Sequence, residues 1–391
     1  MTTRTPETGR RQEPPRYARD AVHSVVYRND AQFCGWPFYC GLWQLRSGEL
    51  IAGFKRIPNS YRDTGEVSHT LLTVGQGDLV LIRSYDGGQS WDGSQLQSVF
   101  RLGTSIDWIK AMGPETYEPE GPFEGPEGTV LFMSGGLPAL LKADSRAWLM
   151  ASDDGGHGWR RPMLLPLCGL GSLTGHGSSS LRSDGMHLIG LSTTSPDGWT
   201  HRPLVYASTD GIDWRFLSFI TPAIEGGSAV TDRSVPAIYG ATRHFYPRLA
   251  ETADGRILAS LRFQRDARDV IWTDIFASDD GGRTWAFLSR VNDWGAPGDI
   301  VAMHDGRIAC VYGYRVRPYG IRARISETGG RTWGPEFVLR DDGGSWDLGY
   351  PRVIEHEPGK LLTVYYMNCK GDPIQMNGGV RHIAQTVFTP E

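Results

Sequence analysis

A short phrase, Ser-x-Asp-x-Gly-x-x-Trp, recurs five times and constrains the fold more than any other feature of the chain. It reads SYDGGQSW at 84–91, SDDGGHGW at 152–159, STDGIDW at 208–214, SDDGGRTW at 278–285 and SETGGRTW at 326–333. The third copy is one residue shorter, and the fifth has Thr328 in place of the Asp. Each copy is a turn: Asp accepts backbone N–H groups, Gly supplies positive φ, and Trp plugs the turn into a sheet. The 50 Gly and 13 Trp among 391 residues follow from this repetition.

A second pattern interleaves with the first. An apolar strand, a tight turn and another apolar strand recur six times. The turns are Ser47-Gly48, Glu127-Gly128, Asp184-Gly185, Asp254-Gly255, Asp305-Gly306 and Pro358-Gly359. The following strands read LIAGF, TVLFM, HLIGL, ILASL, IACVY and LLTVY, as β-hairpins do. Each of the first five hairpins precedes a box by 20 to 36 residues. The unit is therefore strand a, turn, strand b, loop, strand c, box, strand d. Six such units predict an all-β, six-bladed β-propeller of four-stranded antiparallel blades. The sixth unit lacks a box and ends after a third strand at 381–388. The unclaimed strand AVHSVVY at 21–27 is expected to supply its fourth, closing the ring without an unpaired seam. Residues 1–20 are polar and Pro-containing and are expected to be a disordered lead-in, with 21–391 forming one domain.

Charge and cysteines narrow the function classes. Forty basic residues against 44 acidic ones, a net of −4, do not describe a bulk nucleic-acid binder. No apolar run reaches the roughly 18 residues of a membrane helix. The Arg10–Arg11 pair has no apolar stretch after it, so a cytoplasmic location is expected. Cys34, Cys40, Cys168, Cys310 and Cys369 are odd in number and scattered, as thiols rather than bridges. With no phosphate-binding loop and no metal-ligand spacing, neither cofactor nor metal is expected.

In a propeller the a–b turns and the boxes share one face. The d–a and b–c loops share the other, where the long segments 55–77, 101–122 and 221–246 lie. Box aspartates are therefore scaffold. Nine residues before each hairpin Gly, at the channel mouth, stand Tyr39, Pro119, His176, Tyr246, Pro297 and Tyr350. Seven before it stand Gly41, Gly121, Ser178, Arg248, Asp299 and Arg352. Blades four and six share a local copy, YPRLAE at 246–251 and YPRVIE at 350–355. The b–c loops add Arg56 and Arg62, Arg262 and Arg265, Arg315 and Arg317. Arginines gathered at one end suit a carboxylate, which a guanidinium binds in bidentate fashion. Tyr faces, with Trp108, Trp199, Trp272 and Trp346 in or near the same loops, suit sugar rings. An anionic carbohydrate is the expected partner; the oligomeric state is not legible.

The boxes are the Asp-box (BNR) motif, and over residues 21–390 the chain resembles the sialidase (neuraminidase) superfamily. The resemblance implies a substrate carboxylate held by three Arg, a Tyr nucleophile assisted by a Glu, and an Asp acid/base. By position, Tyr350 in DLGYPR matches the nucleophile, Arg262 the second Arg, Arg317 the third, and Asp63 the acid/base. Two elements depart from that pattern. Phe38-Tyr39-Cys40-Gly41 stands where the first Arg belongs, and KRIP at 55–58 lies one strand late. Phe245 or Tyr246 replaces the activating Glu.

Three functions remain open on the sequence. The first is a retaining glycoside hydrolase with Tyr350 as nucleophile or charge stabiliser and Asp63 as acid/base. The second is a uronate-directed lyase. In it Arg248, Arg262 or Arg317 neutralises the carboxylate, His176 or a Tyr abstracts the α-proton, and Tyr246 or Tyr350 donates to the leaving oxygen. The third is a glycan-binding propeller without catalysis. Catalytic candidates are Tyr350, Asp63, Tyr246 and His176; binding candidates are Arg56, Arg248, Arg262, Arg317, Arg352, Asp299 and Tyr39.

Overall fold

Alternating apolar and polar residues between Gly-containing turns build six sheets around a channel, a six-bladed β-propeller with almost no helix. A computed structural model describes residues 13–65, 67–69, 77–101, 131–137, 140–177, 180–196, 198, 200–223, 244–264 and 271–391. Blade four shows the plain unit: His244–Glu251, Ile257–Gln264, Ile271–Ser278 and Ala286–Arg290, each antiparallel to the next. Blade two presents three strands among the described residues. Its Glu127-Gly128 hairpin lies outside them, as do Trp108, Pro119, Gly121, Ser178, Trp199 and Arg265.

Ring closure follows the expected route. Val22–Tyr27 pairs antiparallel with His382–Phe388 as the outer strand of the last blade. The lead-in differs from expectation near its end: Arg16–Tyr17 pairs in parallel with Phe337–Arg340 of blade five. The Tyr17 hydroxyl donates to Asp341 at 2.6 Å. The unpaired edge of the outer strand accepts these two residues, polar as they are.

The boxes hold neighbouring blades together. In the first, Ser84 Oγ donates to Asp86 and accepts from Gly88 N–H, and Asp86 accepts from Ser90 N–H. The Ser90 hydroxyl and these turn donors hold the Asp86 carboxyl down to about 2. Each Trp then reaches its own turn or the preceding blade. Trp285 Nε1 donates to Gly282 O and Ser218 Oγ, Trp333 Nε1 to Ser289 Oγ, and Trp91 Nε1 to Gln385 Oε1. The Ser218 and Ser289 hydroxyls also donate to carbonyls of the next blade's box, Gly282 O and Gly330 O. Apolar clusters fill the spaces between blades, as where Phe54 and Ile82 of blade one pack with Leu362 and Val364 of blade six.

The inner strand of blade one departs from a simple strand a. It is split into Gln32–Gly35 and Leu42–Gln44 by a 3-10 turn at Pro37–Tyr39. Pro37 has no N–H to give a ladder, and Trp36 before it is left-handed at φ 58°. The turn pushes Phe38 and Tyr39 into the mouth.

Candidate active site

The mouth is built from kinks in the inner strands. Tyr246 and Tyr350 also have positive φ, 62° and 47°, and each sits where the strand register slips against its neighbour. A bulge of this kind re-aims one side chain out of the alternating pattern. Gly349, at φ 97°, passes so close to Gly313 that a Cβ would stand 2.7 Å from its Cα. This contact sets the approach to Tyr350.

Four of the sequence candidates meet here. Ring centroids of Tyr39 lie 5.4 Å from Tyr246 and 5.4 Å from Tyr350. Tyr246 is 6.2 Å from Tyr350, and His176 is 4.9 Å from Tyr246. All four are buried, and Phe38 packs beneath Tyr246 and Tyr350. Burial, then the neighbouring phenols, push Tyr39 and Tyr246 well above an ordinary phenol. His176 is neutral: burial, His201 and Arg248 hold it well below an ordinary imidazole. Both of its ring nitrogens are buried without a hydrogen-bond partner among the described residues. Such a ring can donate from one nitrogen and accept at the other.

Tyr350 has a different setting. Arg262 Nη1 donates to its hydroxyl at 3.2 Å, and the Arg315 guanidinium stands 4.9 Å from its ring centre. His69 Nε2 is 3.2 Å from the same hydroxyl, and His69 Nδ1 is 2.7 Å from Asp347 Oδ1. Asp347 also accepts from the Tyr366 hydroxyl and, at 3.3 Å, from Arg381. Burial opposes its charge, yet His69 and Arg381 hold it below the usual carboxylate range. Burial lowers His69 against the pull of Asp347.

Arg248, Arg352 and Asp299 come together one layer deeper, bound to one another. Asp299 Oδ1 accepts from Arg248 at 3.1 Å and from Arg352 at 3.2 Å, while Oδ2 accepts from Val353 N–H. Arg248 also donates to the His176 carbonyl at 3.2 Å. The two YPR copies thus send their arginines to one aspartate of the blade between them. A buried guanidinium needs an anion, and Asp299 is that anion, so these three serve the channel wall before any ligand.

Three other candidates make their contacts elsewhere. Asp63 is exposed, and its Oδ1 accepts from Gly65 N–H at 2.6 Å. Arg56 pairs with Asp78 at 3.3 Å on the next strand. Arg317 is exposed against Tyr319, and Arg315, two residues earlier in the same loop, takes the place beside Tyr350. His69 and Asp347 escaped sequence reasoning. His69 lies in the blade-one b–c loop that was expected to deliver Asp63, and Asp347 is three residues before Tyr350. Only the length of that loop signalled a contribution. Among the described residues no group of three or more His, Cys, Asp or Glu could hold a metal ion.

Residues 122–363 match the family described as a BNR repeat-like domain. No curated protein matches. Among solved structures, the chain is similar to a protein of unknown function from Dyadobacter fermentans. The identity is 22%, covering 95% of this chain and all of that one, with a TM-score of 0.70. It is also similar to the Hadza microbial sialidase Hz136, at 17% identity over 91% of this chain and 66% of that one, TM-score 0.60. An α-L-arabinanase from Penicillium chrysogenum, complexed with arabinobiose, aligns at 13% identity over 94% and 98%, TM-score 0.56. These likenesses show the shared propeller.

Proposed function

Because the chain belongs to the BNR repeat-like domain family, whose propeller it shares with sialidases and an arabinanase, we propose that it is a glycoside hydrolase acting on a terminal, carboxylated sugar. The observation that carries this reading is the setting of Tyr350: its hydroxyl is held by Arg262 and its ring faces Arg315. Two guanidinium groups beside one phenol suit a sugar carboxylate and a developing phenolate together. Tyr350 attacks the anomeric carbon, the aglycone leaves with its bonding pair, and water then hydrolyses the glycosyl–Tyr350 aryl glycoside. Tyr39, Tyr246 and His176 line the remaining wall, with His176 free to bond sugar hydroxyls.

A second reading, β-elimination from a uronate, is favoured by one feature. Asp63, the acid/base expected from the resemblance, caps Gly65 instead, whereas elimination needs only Tyr, His and Arg. One experiment separates the two. Purified protein is given the 4-methylumbelliferyl glycosides of sialic acid and of glucuronic acid, plus an oligouronate, and release of aglycone and ultraviolet absorbance are followed. Aglycone release lost in Tyr350→Phe supports hydrolysis. An ultraviolet-absorbing unsaturated product supports elimination and overturns hydrolysis. Binding without either product leaves a glycan-binding propeller.

A further inference from the structure

We propose that His69, held by Asp347, is the base that takes the phenol proton of Tyr350, in the role that the resemblance gives to a Glu. The inference rests on the hydrolase reading above and deepens it.

The donors and acceptors around Tyr350 fix the direction of its proton. Arg262 carries only donors, so at 3.2 Å it points N–H at the Tyr350 oxygen and cannot receive the hydroxyl proton. His69 Nε2 stands against that oxygen, also at 3.2 Å; the Tyr246 phenol that neighbours it is a far weaker base than an imidazole. Asp347 Oδ1 at 2.7 Å takes the hydrogen of Nδ1, which leaves the Nε2 lone pair for the phenol. Trp36 and Trp346 flank the imidazole, with ring centroids 6.1 and 5.5 Å away, and both His69 and Asp347 are buried. The charged and titratable groups facing this imidazole are Asp347, Tyr350, Tyr366, Arg262 and Arg315, with Arg381 behind Asp347. Burial holds His69 below an ordinary imidazole, so the ring is unprotonated at neutral pH and its Nε2 lone pair is open to a proton.

The Tyr350 proton moves to His69 Nε2, and the phenolate oxygen forms a bond to the anomeric carbon. The glycosidic C–O pair leaves with the departing oxygen, which takes a proton from water. The hydroxide so formed attacks the same carbon, Tyr350 leaves with its bonding pair, and His69 returns the proton. His69 is the catalytic base; Asp347 is a positioning residue that sets its tautomer.

The test uses the full chain and the two 4-methylumbelliferyl glycosides. His69→Gln should lower kcat by about 10²- to 10³-fold with KM little changed, and the acid limb of the kcat profile should vanish. Imidazole added to His69→Ala should restore part of the rate, a gain that a merely structural role would not give. Asp347→Asn should lower kcat and shift that limb. Thermal unfolding of each variant checks folding. If Tyr350→Phe is inactive while His69→Gln keeps its rate within threefold and its acid limb, the base assignment is overturned and the hydrolase reading stands. If Tyr350→Phe turns over normally, or the wild type turns over neither probe, the reading falls and takes this assignment with it.

Discussion

Blades four and six carry the same words, YPRLAE and YPRVIE, and put them to different use. In both, the Tyr has positive φ on a slipped register and the Arg reaches Asp299. The Glu that ends each copy latches the preceding blade: Glu251 accepts from Ser183, and Glu355 from His304. Up to this point the copies are the same structural clip. They part at the hydroxyl. Tyr246 looks onto Tyr39, Tyr350 and a neutral His176, with the Arg262 guanidinium 5.8 Å from its ring centre, while the Tyr350 hydroxyl takes a hydrogen bond from Arg262 and meets the His69–Asp347 pair, its ring facing Arg315. Reactivity therefore comes from what the loops bring to the phenol, and the repeated motif supplies only its position.

The sharpest way to break this contrast is to remove each hydroxyl in turn. Tyr350→Phe should cost about 10³-fold or more in kcat, the scale of losing a nucleophile. Tyr246→Phe should stay within about tenfold, as for one neutral hydrogen bond. Equal losses would mean that the two copies share the chemistry. The shared clip is tested next. Asp299→Ala leaves Arg248 and Arg352 buried without their anion, and urea unfolding should show a loss of about 3–5 kcal/mol.

Arg262→Ala removes the charged hydrogen bond to the Tyr350 hydroxyl, along with its bond to Gln264. We expect a fall in kcat/KM of roughly 10- to 100-fold, equivalent to about 1.5–3 kcal/mol, measured on the same glycosides. His176 marks the Tyr246 side by pH. Its folded pKa lies below the unfolded value of about 6.5, so its contribution to stability is whole above that pH. It is lost as pH falls toward the folded value, because the unfolded chain then binds the extra proton. His176→Gln should flatten the decline of the unfolding midpoint between about pH 6.5 and 5, and an unchanged slope would remove His176 as its source. The smallest effect belongs to the scaffold. Ser278→Ala, which deletes one box hydroxyl, should cost about 1–2 kcal/mol and leave kcat untouched.

The positions of the mouth residues are legible in the sequence. Box and hairpin spacing place Tyr39, His176, Tyr246 and Tyr350 at one height on successive inner strands, because a blade repeats its register. Closure by 21–27 follows from the sixth unit's missing strand. The loops obey no such register. His69 has no counterpart in other blades, so nothing in the spacing selects it over Asp63. Arg315 and Arg317 alternate on one loop, and which of them turns inward depends on packing against Trp346 and Tyr350. The pairing of Arg248 and Arg352 through Asp299 was likewise hidden, since seven-before-Gly positions mark height and not partner. Asp347 and Tyr350 are three residues apart, yet their link runs through a histidine from the far end of the chain.

The most direct test of Tyr350 as the reacting group is covalent trapping. The protein is incubated with fluorinated glycosyl fluorides of sialic acid and of glucuronic acid, which form the intermediate faster than they release it. Intact mass and peptide mapping then locate any adduct. We expect one glycosyl group per chain, on Tyr350, absent from Tyr350→Phe and present in Tyr246→Phe. An adduct on Tyr246, or steady turnover of the aryl glycosides with no adduct at Tyr350, would contradict it.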